Sequence, residues 1–292
     1  MQTNRLHHEE VTGMISYEKN GRQIWSTHPI EKPYLVYQIG SANPQLAVEA
    51  ALTVINDVSA IDLNCGCPKP FSTHAGMGAN LLYTPDLLCG ILSSLRAAVP
   101  SYIPVTAKIR LLPDVNDTLK LIERIISTGV SALTVHCRTK GMRKTEEAHV
   151  HRLAAIVDFV NHLGTGVPVI ENGDCISRED GLKIRERTGE LVLHCSFIRS
   201  NILAGAHSVM IATAAERNLS CFADGPLVDA ETVLVPTYFS LVRHGAYRPP
   251  TRTDSFGLIG KIPEESLGKL KTLSVSIHFS GPYQWPGRAY LL

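Results

Sequence analysis

The stretch "IPVTAKIRLLPDVNDTLKLIERIISTGVSALTVH", residues 103–136, decides the fold. It opens on the β-rich run "IPVTAKI" (103–109). The helical pattern "VNDTLKLIERIISTG" follows, with Leu119, Ile122 and Ile126 on one face and Gly129 where a helix would stop. A second β-rich run, "SALTVH" (131–136), closes the unit. Strand, helix and strand in this order read as a parallel βαβ unit, because two parallel neighbours need a crossover of about this length.

The same alternation extends in both directions. Further β-rich runs are "PYLVYQI" (33–39), "AIDLN" (60–64), "VPVI" (167–170) and "HSVMIA" (207–212). Between them, "NPQLAVEAALTVIND" offers Asn43 as an N-cap with Pro44 in the first turn, and "EDGLKIRERTG" ends at Gly189. Polar residues recur at or just past the strand ends: Gln38, Asn64, Lys108 with Arg110, His136 with Arg138, Asn172 and Thr213. A parallel α/β barrel carries its active site at that end of its strands. A doubly wound open sheet also binds ligands at carboxyl ends, but no G-x-G-x-x-G fingerprint follows an early strand, which favours the barrel.

A complete barrel of this kind has eight strands, two more than these runs supply. The first 30 residues do not offer them, since "MISYEKNGRQIWST" reads as a hairpin turning at Asn20-Gly21. The tail from about 248, "YRPPTRTDSFGLIGKIPEES", is proline-rich and loop-like. The expected fold is therefore α/β, a TIM (β/α)8-type barrel lacking its first two strands. If the last two runs are strands seven and eight, "PYLVYQI" is strand three.

Composition narrows the functional classes. With 292 residues, 44% of them hydrophobic, the chain can bury a large core. Its 28 basic and 27 acidic residues give no overall reason to expect a polyanionic partner, so any nucleic-acid site must be a local patch. Seven scattered cysteines do not form a disulfide pattern and point to a reducing compartment. The start "MQTNRLHHEE" lacks a secretory layout, and no apolar run reaches the length needed to span a bilayer. The expectation is a soluble monomer of the cytoplasm or nucleus with no membrane partner.

The segment "DLNCGCPKPFSTHAGMGANLL" (62–82) holds Cys65 and Cys67. A zinc site would need a second ligand pair, so no metal is expected. A free cysteine is commonly a small buried hydrophobe. Cys67, however, lies between Gly66 and Pro68 at the head of a polar loop on the functional end, so a reactive thiol and a buried one both stand as readings. "VTAKIR" puts Lys108 and Arg110 on one face of a strand, where a cation needs either a loop carboxylate or an anionic ligand. "TVHCRTKGMRK" adds His136, Arg138, Lys140, Arg143 and Lys144, either a solvated loop or a resting place for an RNA backbone. "VPVIENGDC" and "SVMIATAAE" follow the last two strands, where barrels often bind phosphate, and Gly173 suits close backbone approach.

Taken together, "QIGSANPQLAVEAA", "DLNCGCPKPFSTHAGMGANLL", "VTAKIRLLP", "VHCRTKGMRKTE" and "IENGD" resemble the tRNA-dihydrouridine synthase family, most closely its eukaryotic cytosolic branch that modifies position 20 of the D-loop. The likeness runs from about residue 14 to 247. It implies FMN as cofactor, NADPH as reductant and tRNA as partner, with hydride passing to C6 of a uracil. It also implies Cys67 as the acid that protonates C5, a task suited to a thiol of ordinary acidity (~8.5), which is mostly protonated at neutral pH.

By the same resemblance Gln38, Asn64, Lys108 and His136 line the flavin. Asn172, Gly173, Asp174, Ala212 and Thr213 hold its phosphate, while Arg138, Lys140 and Arg143 meet the RNA. Residues 1–224 would form the incomplete FMN-binding barrel, with 190–205 an insertion, and 225–292 a partial helical tRNA-binding region with an irregular tail. Ala212-Thr213 stands where the family commonly has Gly or Ala followed by Arg. Two alternatives remain: a catalytically inactive truncated relative, at most a weak RNA-binding fragment, and an oxidoreductase acting on a free pyrimidine. With two strands missing, the chain alone is expected to aggregate and to hold FMN weakly.

Overall fold

The computed structural model describes residues 4–8, 13–189, 206–237 and 239. The expected insertion at 190–205 and the tail after 248 lie outside these residues.

Three strands near the N-terminus, β1 (Asn4–His8), β2 (Met14–Lys19) and β3 (Arg22–Thr27), form an antiparallel sheet in the order β1-β2-β3. The expected hairpin is β2–β3, and β1 is an additional strand that the sequence reading did not anticipate. The turn works because Asn20 (φ 55°) and Gly21 (φ 71°) both take positive φ, as a two-residue hairpin turn requires. This sheet packs onto the main body through aromatic rings. Tyr17 stacks on Trp25 with centroids 4.9 Å apart, and Trp25 meets Tyr37 at 4.8 Å. Buried Asp57 takes Arg5 at 2.6 and 2.8 Å through both oxygens and also accepts the Tyr17 hydroxyl. These cations and donors hold its carboxyl below the ordinary range although burial opposes them.

The body is a six-stranded sheet of β4 (Val36–Ile39), β5 (Ala60–Cys65), β6 (Val105–Leu111), β7 (Ala132–Thr139), β8 (Val169–Asn172) and β9 (Ser208–Met210). Every neighbouring pair is parallel and the strands follow one another in sequence order. All six expected runs are strands, displaced by up to three residues at their ends. An order without reversal is that of a singly wound, barrel-type sheet, since a doubly wound sheet changes direction at a switch point. The fold is thus an α/β parallel sheet of TIM-barrel type, curled as part of a barrel.

Helices α1 (Pro44–Val54), α2 (Pro70–Thr73), α3 (Pro85–Ala98), α4 (Val115–Ser127), α5 (His151–His162), α6 (Arg178–Gly189) and α7 (Thr213–Arg217) connect or follow the strands. Asn43 caps α1 by accepting the N–H of Leu46 at 3.0 Å, with Pro44 next to it as expected. In α4, Asp114 accepts the N–H of Asp117, and Gly129 leaves the helix at φ 84°. The buried face of α4 is Thr118, Leu121, Ile122, Ile125 and Ile126, so the expected Leu119 lies at its margin rather than in it.

Alternation along the strands separates two faces. On β6, Val105, Ala107, Ile109 and Leu111 are buried under the helices, while Thr106, Lys108 and Arg110 occupy the other, partly open face. On β5 the same rule buries Ile61, Leu63 and Cys65 and leaves Asp62 and Asn64 on the Lys108 side. The helix-covered face is hydrophobic, and the concave face collects the polar chemistry.

Candidate active site

On the concave face the parallel register sets Gln38 against Asp62, Asn64 against Lys108, and His136 against Asn172. Asp62 is the hub of the first group. Its oxygens accept Gln38 Nε2 at 2.7 Å and Thr106 Oγ1 at 2.6 Å. Burial raises its pKa, with those two donors and Lys108 working against the rise. Gln38, fixed by Asp62, accepts Asn64 Nδ2 at 2.8 Å. The opposite end of the Asn64 amide, Oδ1, accepts the backbone N–H groups of Gly66 at 3.0 Å and Cys67 at 2.9 Å.

Asn64, one residue before the end of β5, therefore ties down the start of the following loop, leaving Cys67 half-exposed while Cys65 is fully buried. The far wall of the loop is as closely set. Ala79 donates its N–H to the Cys67 carbonyl at 2.9 Å. Gly78 has φ +63°, and a Cβ there would lie 2.3 Å from Ser72 Oγ and 2.6 Å from the Cys67 oxygen. Only glycine fits behind Cys67. The two cysteines of the C-x-C pair thus differ in exposure, and the alternatives left open by the sequence divide between them: Cys65 is the buried thiol, Cys67 the accessible one.

Lys108 extends from β6 past β7 to donate to Asn172 Oδ1 on β8 at 2.7 Å, and Asn172 Nδ2 in turn donates to the carbonyl of Met210 on β9 at 3.0 Å. Burial, then the charge of Arg110, push the Lys108 ammonium down to about 8. His136, between these strands, has its pKa driven far down by burial and by Lys108, Arg110 and Arg138, so its ring is neutral. Arg110 links two loops: its Nε donates to Gly66 O at 2.7 Å and its NH1 to Thr139 O at 3.0 Å.

Two expected roles change. Arg138, expected to meet RNA, has a side chain only 6% exposed. It donates to the carbonyl of Glu146 at 2.7 Å and pairs with Asp174, so its guanidinium is consumed in bracing the loop after β7. Asp174, expected at the phosphate, accepts from Arg138 and from the N–H of Ala148 at 2.8 Å. Its carboxylate is occupied and would repel an anion, which leaves only its main chain for that task. Gly173 and Asp174 donate their backbone N–H groups to no acceptor among the described residues. Ala212 precedes the short α7, whose first residue is the exposed Thr213. Lys140 is half-buried and Arg143 is exposed on the loop after β7.

Sequence reading passed over three residues. Asp62 was discoverable, because D-x-N in "DLN" puts two polar residues on one face of a strand. Gly78 carried no local signal beyond its type. Glu171 follows two apolar residues in β8 and lies on the helix side; it is fully buried, and among the described residues neither carboxylate oxygen has a hydrogen-bond partner.

A family model described as Dihydrouridine synthase (Dus) matches residues 10–232. Among curated proteins, the chain is 47% identical over 211 residues to the tRNA-dihydrouridine(20) synthase (NAD(P)+) of Schizosaccharomyces pombe, covering 71% of this chain and 40% of that protein. It is 43% identical over 202 residues to the Saccharomyces cerevisiae protein of the same name, covering 68% and 49%. A tRNA-dihydrouridine(16) synthase of Neisseria meningitidis is 35% identical over 187 residues, 60% of this chain and 54% of that one. The chain spans roughly half the length, or less, of these relatives.

Proposed function

The chain belongs to the dihydrouridine synthase family, and we propose that it serves the reduction of a uridine in tRNA to dihydrouridine, with FMN as bound cofactor and NADPH as reductant. The names of the two fungal relatives carry position 20, and we assign the target uridine to that position. The observation that carries the reading is the hydrogen-bonded line Asp62–Gln38–Asn64–Cys67, which presents one thiol at the same sheet end as the Lys108 ammonium.

The residues fit an anionic, ring-shaped cofactor with a phosphate tail. Lys108 supplies a cation on the concave face, and Gln38 and Asn64 supply amide groups beside it. The N–H groups of Gly173 and Asp174, which meet no acceptor among the described residues, suit a phosphate. FMN held there, once reduced by NADPH, would supply hydride chemistry at C6 of the uracil. The chain's own residues do the rest. Cys67 donates the thiol proton to C5, Asn64 fixes the loop that aims it, and Lys108 offsets negative charge on the ring with an ammonium that partial desolvation strengthens. His136, being neutral, hydrogen-bonds without adding charge.

The visible spectrum of the purified chain tests the reading. Flavin absorbance that stays with the protein through gel filtration supports it. A folded but colourless chain that cannot be loaded with FMN favours an inactive relative.

A further inference from the structure

We propose that Tyr83 and Lys140 form a contact point for an unpaired segment of the substrate RNA, the Tyr83 ring stacking on a nucleobase and the Lys140 ammonium meeting a neighbouring phosphate. This rests on the reading of the Cys67 face as an RNA-reducing site and adds to it a place where the strand is held.

Tyr83 ends the 3-10 turn Gly78–Tyr83, the continuation of the loop that holds Cys67, and Lys140 directly follows β7. The two loops meet at one rim, because Arg110 bonds Gly66 O, one residue before Cys67, and Thr139 O, one residue before Lys140. At that rim the Lys140 Nζ lies 5.5 Å from the Tyr83 ring centroid. Tyr83 is nevertheless 54% exposed, so much of this large ring faces solvent. Among the described residues Lys140 has no carboxylate within ion-pair distance, and Tyr83 makes no hydrogen bond through its hydroxyl.

An exposed aromatic with a cation against it is the combination that grips single strands. Every base has a face to stack, the cation polarises the ring and takes the backbone, and no sequence-specific donor is needed. The surrounding charges agree: Lys69 is exposed on the Cys67 loop, and Arg143 and Lys144 are exposed beyond Lys140. Of the three cations that the resemblance offers to RNA, Arg138 is committed to Asp174, which leaves Lys140 and Arg143, and Tyr83 is the residue added here. An acidic peptide could satisfy Lys140 but would leave the ring of Tyr83 without a purpose, which makes RNA the better match.

The experiment measures binding of a fluorescent tRNA transcript to the 292-residue chain and to the variants Tyr83→Ala, Tyr83→Trp and Lys140→Met, over a range of salt. Tyr83→Ala should weaken binding roughly 5- to 100-fold with little change in salt dependence, and Tyr83→Trp should restore it. Lys140→Met should lower the salt slope by about 0.7 to 0.9, the contribution of one phosphate contact. The proposal fails if Tyr83→Ala binds within twofold of the parent, if tryptophan does not rescue, if the parent binds no tRNA, or if polyglutamate competes as well as RNA. Failure of the underlying reading looks different: a chain that takes up no flavin, with RNA binding that still follows Tyr83.

Discussion

Asn64 Oδ1 accepts the backbone N–H of Cys67 at 2.9 Å, while Asn64 Nδ2 donates to Gln38 at 2.8 Å, so one side chain fixes both the thiol loop and the adjoining strand end. Replacing Asn64 with alanine leaves two N–H groups and Gln38 without their partner. Asn64→Ala should lose ~1–3 kcal/mol in a urea melt and lose dihydrouridine formation by more than the melt explains. Asn64→Asp keeps the acceptor for both N–H groups and should fall between. Equal activity in all three proteins would show that the loop does not depend on Asn64.

Gly78 backs directly onto Cys67. Gly78→Ala forces an L side chain into φ +63° against Ser72 Oγ and the Cys67 carbonyl. The combined strain and overpacking should cost about 2–4 kcal/mol. Adding Ser72→Ala removes only one of the two obstacles and should recover only part of the loss, measured as a shift in the denaturation midpoint.

The two cysteines should separate cleanly. Cys67→Ala should reduce dihydrouridine formation by about 10²–10⁴-fold with flavin still bound, as expected for loss of a general acid. Cys65 is fully buried, so Cys65→Ala should cost about 1–2 kcal/mol of stability while leaving activity per folded molecule unchanged. Equal losses of activity in both would refute the assignment of the acid to Cys67.

Lys108→Met keeps most of the side chain's length and removes its charge. It should weaken FMN binding at least tenfold and make bound flavin harder to reduce, followed by a fluorescence titration and a redox titration. An unchanged reduction potential would limit Lys108 to holding Asn172.

Glu171 gives the fold a pH dependence. Burial first, then the charges of Asp174 and Asp180, raise its pKa from 4.5 to about 8. A folded-state pKa above the unfolded one means that the associated stability is complete below about 4.5 and is lost progressively as pH rises to about 8. Glu171→Gln removes the ionisation and should flatten that slope, becoming the more stable protein by on the order of 2–4 kcal/mol near pH 9. Parallel stability curves for the two proteins between pH 5 and 9 would rule this out.

Periodicity and residue type alone determined that this chain builds parallel βαβ units. The alternation in "VTAKIRL" and the amphipathic pattern of "VNDTLKLIERIIS" act over a few residues and need no partner to be read. The hairpin at Asn20-Gly21 and the cap at Asn43 were legible for the same reason. The expectation of polar residues at strand ends holds for Gln38, Asn64 and Asn172, whereas Lys108 and His136 lie inside β6 and β7.

What only the tertiary structure decided is which of these groups touch. Asn64 meets Gln38 across 26 residues of chain, and Lys108 meets Asn172 across 64, because strand register and curl set distances that no local pattern encodes. The same long-range geometry diverted Arg138 to Asp174, left Glu171 with no hydrogen-bond partner among the described residues, and sent Lys140 to the ring of Tyr83. Side-chain chemistry is written residue by residue, but a charge acquires its role from the neighbour that packing brings within a few ångströms.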